Sequence, residues 1–279
     1  LSQKEGVATN FQIQNISCGY GDKTVIGGIS FHFNSGDLLC LLGPNGVGKT
    51  TFFKTVLGFL RPQKGEILLD GQTIEQWSHK KFAMQVAYVP QAHVAPFPFD
   101  VIDVVMMGRT AHLGALSCPG DNDRKIAEEA LATLAISHLK NQPYTEISGG
   151  ERQLVLIARA LTQKPKFLIM DEPTANLDFG NQIKVINHIK RLVQQQNMGV
   201  MMTTHFPNQA FYCATKVVVM GKKNKISVGT PNEVITEKYL KEVYGVDVKF
   251  VYSEEGGCQT KFCIPVDHSG QWDVEKTIG

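Results

Sequence analysis

Two spacings of apolar residues divide this chain. Over its first 70 residues the apolar runs are short and strand-like. Phe11, Ile13 and Ile16 predict a strand that ends at Cys18-Gly19-Tyr20-Gly21. Ile29 to Phe33 alternate apolar with polar before Ser35-Gly36-Asp37, predicting a second strand. Leu38 to Leu42 are apolar without a break, the pattern of a strand buried on both faces. Thr50 to Leu60 then follow the helical period through Phe52, Phe53, Val56, Leu57 and Leu60, and Gly65 to Gly71 enclose another strand.

From about Ala92 to Ala160 the strand signals stop. Ile102–Arg109, Asn122–Leu134 and Gly149–Gln163 have helical spacing and are joined by loops rich in Gly, Pro and Ser, so a helical insert is expected here. Phe167 to Met170 resume the buried-strand pattern. A helix is predicted over Gly180–Gln196 and a strand over Gly199–His205. Strand and helix in alternation imply a mostly parallel sheet with helices on its faces. Beyond Gly245, short strands are expected around a polar turn at Glu254–Gly257.

Composition narrows the class. At 279 residues and 43% apolar, the chain is long and apolar enough to bury a core, which excludes a mainly disordered protein. No apolar run approaches the 18 residues of a membrane span, so the chain is not expected to cross a bilayer by itself. A net charge of +2 gives no electrostatic argument for nucleic acid. The six cysteines, at 18, 40, 118, 213, 258 and 263, have no C-x-x-C spacing and no adjacent His cluster, so they predict thiols rather than a zinc site.

The strongest local signal is Gly43-Pro44-Asn45-Gly46-Val47-Gly48-Lys49-Thr50, which fits G-x-x-x-x-G-K-[ST] between a buried strand and a helix. Gly43, Gly46 and Gly48 let backbone N–H groups ring a phosphate, and the helix adds its positive end. Lys49 offers a mobile charge to the β- and γ-phosphates of a nucleotide, and Thr50 a hydroxyl to Mg²⁺. Asp171-Glu172 end the Phe167–Met170 run, at the sheet edge where open α/β folds bind ligands. There one carboxylate can hold Mg²⁺ and the next can orient and deprotonate a water. His205 ends another strand at the same edge.

With these residues the chain resembles the ATP-binding subunit of an ATP-binding-cassette (ABC) transporter, over about residues 8 to 235. Ser148-Gly149-Gly150-Glu151-Arg152-Gln153 is similar to that family's signature sequence, with Ile147 where Leu is usual and Glu151 where Gln is common. Gln91 resembles the Q-loop glutamine, Ala175-Asn176-Leu177-Asp178 the D-loop, and His205 the switch histidine. Ser148 and Glu151 have a second reading, as a capping box for the helix that follows. The resemblance implies an α/β fold: a P-loop NTPase core over 8–91 and 161–235, with a mostly parallel sheet and an antiparallel β subdomain. A helical signature subdomain over 92–160 and a tail of short strands over 236–279 complete it.

The resemblance also implies roles. ATP and Mg²⁺ are the cofactors. Tyr20 stacks on adenine; Gly43, Asn45, Gly46, Gly48, Lys49, Thr50 and Thr51 cradle phosphates; Thr50, Gln91 and Asp171 serve Mg²⁺. Lys49, Gln91, Glu172 and His205 act in hydrolysis. Ser148, Gly149 and Gly150 face ATP on a second copy of the subunit, and Asp178 joins that nucleotide site. Two membrane-spanning permease subunits and, indirectly, an extracytoplasmic substrate-binding protein are the other partners, with the chain at the cytoplasmic face of the membrane. Val104-Val105-Met106-Met107-Gly108-Arg109, followed by Ala111-His112-Leu113-Gly114, is similar to importers of iron chelates, haem and cobalamin and to molybdate or tungstate relatives. Two other readings stay open: a non-transporter ABC ATPase and an exporter subunit.

Overall fold

A computed structural model describes residues 9–91, 98–114, 117–221, 225–255 and 258–266. The chain starts with β1 (Asn10–Tyr20) and β2 (Lys23–Asn34), then β3 (Leu38–Leu42) and α1 (Lys49–Val56), β4 (Lys64–Leu69) and the short β5 (Gln72–Thr73). α2 (His79–Gln85) leads into β6 (Val86–Val89). The helical stretch holds α3 (Val101–Met106), α4 (Asp121–Thr133) and α5 (Gly149–Leu161). There follow β7 (Phe167–Met170), α6 (Phe179–Gln196), β8 (Gly199–Thr204), α7 (Pro207–Cys213), β9 (Lys216–Met220) and β10 (Ile226–Gly229). α8 (Pro231–Val234), α9 (Glu237–Tyr244), β11 (Val248–Glu255) and β12 (Cys258–Pro265) complete the order.

The central sheet has the order β10-β9-β3-β8-β7-β6, parallel throughout except for β10 at its edge. A second sheet, β2-β1-β4-β5, is antiparallel. Alternation along β3 assigns the two faces of the central sheet. Leu38, Cys40 and Leu42 belong to a core with α5 and α6, while Leu39 and Leu41 belong to a core with α1 and the antiparallel sheet. Phe167 carries the second core across the layers, its ring edge-on to Phe11 and Phe33 at centroid distances of 5.4 and 5.1 Å. Each such buried ring contributes roughly 1.5–3 kcal/mol.

Several expected boundaries shift for visible reasons. The three-residue step from Ile13 to Ile16 breaks strand alternation, and β1 absorbs it in a register shift around Asn15, whose φ is 49°. The helix expected to Leu60 stops at Val56, because the Gly58 N–H bonds to the Thr55 carbonyl and the Phe59 N–H to that of Lys54. The segment expected to be only short strands, 236–279, includes α9 over Glu237–Tyr244. Thr236 caps this helix by accepting from the Tyr239 N–H, and its Leu240 is buried. β11 and β12 then pair as an antiparallel hairpin; the expected turn at Glu254–Gly257 is partly outside the described residues.

The helix expected over Ile102–Arg109 tightens after Met106 into a 3₁₀ turn over Met107–His112. That turn lies against the end of α5. A Cβ on Gly108 would overlap the Arg159 carbonyl and the Thr162 hydroxyl, so only glycine permits the approach. The buried Arg109 donates from Nε to Asp123 Oδ1 (2.7 Å) and from Nη1 to the Thr162 carbonyl (2.6 Å). His112 Nε2 lies 2.8 Å from the Gln163 carbonyl. Gly108, Arg109 and His112 thus fasten α3, α4 and α5 together, and Arg109 satisfies a carbonyl that the end of α5 leaves open. The Arg109 guanidinium holds the Asp123 carboxyl below the usual carboxylate range.

Candidate functional site

The glycine-rich loop runs from the end of β3 into α1. Gly48, at φ 110°, is the residue before the first helical turn, and a side chain there would press on Ile26. The loop can therefore turn sharply and place Lys49 at the head of the helix. Lys49 is buried; its Nζ donates to the carbonyls of Gly43 (2.8 Å) and Pro44 (3.3 Å) and stands 3.4 Å from Glu172 Oε1. Because the strands are parallel, β3, β7 and β8 all end at this edge. Thr50 Oγ1 donates to Asp171 Oδ2 at 3.3 Å, and His205 Nδ1 lies 3.6 Å from Glu172 Oε1. His205 Nδ1 is buried and makes no hydrogen bond. Its ring lies 4.0 Å from that of Phe206.

A cavity of about 460 Å³ opens over this edge. Asn45, Gly46, Gly48, Lys49, Thr50, Thr51, Gln91, Asp171 and Glu172 line it together with Val25. The P-loop residues, the acid pair and Gln91 are thus brought together from positions up to 127 residues apart in the sequence, Asn45 to Glu172, and His205 joins through Glu172. Tyr20 is not in this wall. It ends β1, is 52% exposed, and pairs across the tight turn with Lys23.

The signature residues and Asp178 form a separate cluster. Ser148 caps α5: its Oγ accepts from the Glu151 N–H (3.3 Å), while its own N–H donates to Glu151 Oε2 (2.8 Å). Ser148's hydroxyl and N–H hold the Glu151 carboxyl below the usual range. Asp178 caps α6, accepting from the Asn181 N–H (2.9 Å) and Asn181 Nδ2 (2.6 Å). The two helix starts abut, since a Cβ on Gly150 would meet Asn181 and one on Gly149 would touch Leu177. The predicted capping box is present at the start of α5, and the close approach of α5 to α6 is made by Gly149 and Gly150.

Polar residues that the motif reading passed over connect these parts. Gln209, buried on α7, accepts from Thr204 Oγ1 (2.8 Å) and Thr174 Oγ1 (3.1 Å) and donates to Gln182 Oε1 (3.2 Å). Gln182 in turn donates to the Leu177 carbonyl at 2.9 Å. The neighbouring Asn208 exchanges two bonds with the Cys263 backbone in β12. Thr203 Oγ1 donates to Asp171 Oδ1 (2.8 Å) and accepts the Glu172 N–H (2.7 Å). Glu172 has φ 44°, a left-handed conformation costing a side-chain-bearing residue roughly 1–2 kcal/mol, and this N–H bond helps hold it.

A parallel sheet with a phosphate-type loop, a neighbouring acid pair and a separate capped-helix cluster defines a P-loop nucleotide-binding domain. The profile of the family described as ABC transporter matches residues 26–175. An uncharacterized ABC transporter ATP-binding protein of Haemophilus influenzae is 44% identical over 233 residues, covering 84% of this chain and 88% of that protein. The molybdate import ATP-binding protein MolC of the same organism is 37% identical over 216 residues, covering 77% and 80%. A solved inward-facing, putative metal-chelate type ABC transporter superposes with a TM-score of 0.83 at 31% identity, covering 93% of this chain and 98% of that one. The chain belongs to the ABC transporter family as an ATP-binding, ATP-hydrolysing subunit. None of its helices, among the described residues, is long and apolar enough to cross a membrane.

Proposed function

We propose that this subunit hydrolyses Mg²⁺-ATP to drive import of a metal chelate or of molybdate or tungstate. The observation that carries the chemistry is the meeting of Lys49, Thr50, Asp171, Glu172 and His205 at one sheet edge. Thr50 and Asp171 are hard oxygen donors facing a cavity, the donor type Mg²⁺ prefers when phosphate oxygens and waters complete its shell. When bound, the ion neutralises charge on the phosphates. Lys49 exchanges its loop carbonyls for phosphate oxygens, and Glu172 orients the attacking water and takes its proton. The His205 ring, whose Nδ1 lies 3.6 Å from Glu172 Oε1, offers its imidazole as a hydrogen-bonding partner to the γ-phosphate. Gln91 reports the occupied site to the helical stretch that follows. Tyr20 stacks on adenine, which its exposure permits.

Ser148, Gly149, Gly150 and Asp178 lie outside the wall of the cavity at two helix N-termini, which is compatible with the role that the resemblance to ABC subunits implies for them, at the site of a second copy of the chain. The dimer docks on two permease subunits at the cytoplasmic face of the membrane, and a substrate-binding protein delivers the cargo outside. The names of the molybdate importer subunit and the metal-chelate type transporter support this cargo class. Co-expression with a genetically neighbouring membrane protein tests the reading. The chain should co-purify with that protein, and its ATPase rate should respond to a binding protein loaded with a metal chelate or oxyanion. Full ATPase activity with no membrane partner would instead favour a non-transporter ATPase.

A further inference from the structure

Thr203 is the one polar residue on its face of β8, beside β3 on one flank and beside Asp171, just past the end of β7, on the other. That face carries Met201 into the core with α1, and Thr203 itself lies in register with Leu41 of β3. It is 1% exposed. A hydroxyl sealed in this way must be satisfied locally, and here it is satisfied in both senses. Its hydrogen goes to Asp171 Oδ1 at 2.8 Å, and its oxygen accepts the Glu172 N–H at 2.7 Å. The second Asp171 oxygen accepts from Thr50 at 3.3 Å.

We infer that Thr203 is a positioning residue for ATP hydrolysis, acting through Asp171 and Glu172 rather than on the nucleotide. The inference rests on the proposed roles of those two acids. One hydroxyl fixes the rotation of the Asp171 carboxylate and so decides which lone pairs face Thr50 and the metal position. The same oxygen anchors the Glu172 N–H in its left-handed turn. That turn carries the Glu172 carboxylate to its place 3.4 Å from Lys49 Nζ and 3.6 Å from His205 Nδ1. Apolar residues fill the rest of this strand face, so selection for packing alone would accept valine at 203. A buried donor–acceptor pair aimed at both acids is what valine lacks.

The test compares Thr203→Val, which keeps the shape and loses both bonds, with Thr203→Ser, which keeps the hydroxyl. Thr203→Val should lower kcat by about 10- to 100-fold, the scale of a small misplacement of a catalytic group, with KM for ATP changed less than about threefold. Thr203→Ser should stay within about threefold of wild type. A readout without turnover is the Mg²⁺ concentration that half-saturates binding of a fluorescent ATP analogue. It should rise for valine and not for serine, while binding in EDTA stays the same. Should the valine variant not fold, by circular dichroism and thermal melting, Thr203→Ala loses the same bonds and carries the same expectation. A folded valine or alanine variant with wild-type kcat and Mg²⁺ dependence overturns the inference, as does a serine variant as impaired as valine. Glu172→Gln separates the two levels. If that variant still turns over, the reading of the acids fails; if it is inactive while Thr203→Val is normal, only the role of Thr203 fails.

Discussion

Glu172→Gln lowers the ATPase rate by about two to four orders of magnitude, the range typical of losing a general base, and leaves ATP binding nearly intact. The carboxamide is almost isosteric with the carboxylate, so the left-handed turn at Glu172 and its N–H bond to Thr203 are kept. Asp171 and Thr50 are unaffected, so the metal position is kept as well. What disappears is the ability to take a proton from water. Nucleotide binding that persists without hydrolysis should also hold two chains together, and gel filtration with Mg²⁺-ATP should show a dimer that the wild type does not accumulate. Retention of more than about a tenth of wild-type kcat would remove Glu172 from the role of base.

Lys49→Ala acts one step earlier, on binding. In the structure this ammonium is buried, held by two loop carbonyls and placed beside Glu172. It is the only cation lining the cavity among the described residues, so nothing else in the wall replaces its charge on the phosphates. A charge-assisted hydrogen bond contributes about 1.5–3 kcal/mol, so nucleotide affinity should fall about ten- to hundredfold or more. Isothermal titration with ATP measures it directly. An unchanged Kd would contradict the assignment of this loop as the phosphate cradle.

How far these residues could be read from the sequence depended on how local their signals are. The P-loop and the acid pair lie in short motifs directly after apolar runs, so both residue type and strand-end position were legible. The capping box at Ser148 and Glu151 was legible for the same reason. Thr203 and Gln209 were not, because their partners depend on strand order. β8 lies between β3 and β7, and hydropathy along one strand does not reveal its neighbours. A trace existed: Thr203-Thr204 interrupt an otherwise wholly apolar buried strand, and such buried hydroxyls need partners. The segment of Gly108, Arg109 and His112 is similar in sequence to an importer's insert. Its side chains turn out to hold three helices together, which a motif alone does not separate from a docking role. α9 was legible in principle, since its residues are amphipathic at the helical period and Thr236 ahead of it is a cap signal.

We propose that each ATP site is built from two chains, with Lys49 of one and Ser148 of the other. Mixing a Lys49→Ala chain with a Ser148→Arg chain tests it most directly. Each variant alone carries a lesion in every site and should be inactive. In a mixed dimer one site holds both lesions and the other holds neither, because its loop comes from the Ser148→Arg chain and its signature from the Lys49→Ala chain. ATPase activity should therefore reappear on mixing. If Lys49 and Ser148 served the same site within one chain, every site in the mixture would keep a lesion, and a mixture as inactive as its two components would show that the sites are not shared between chains.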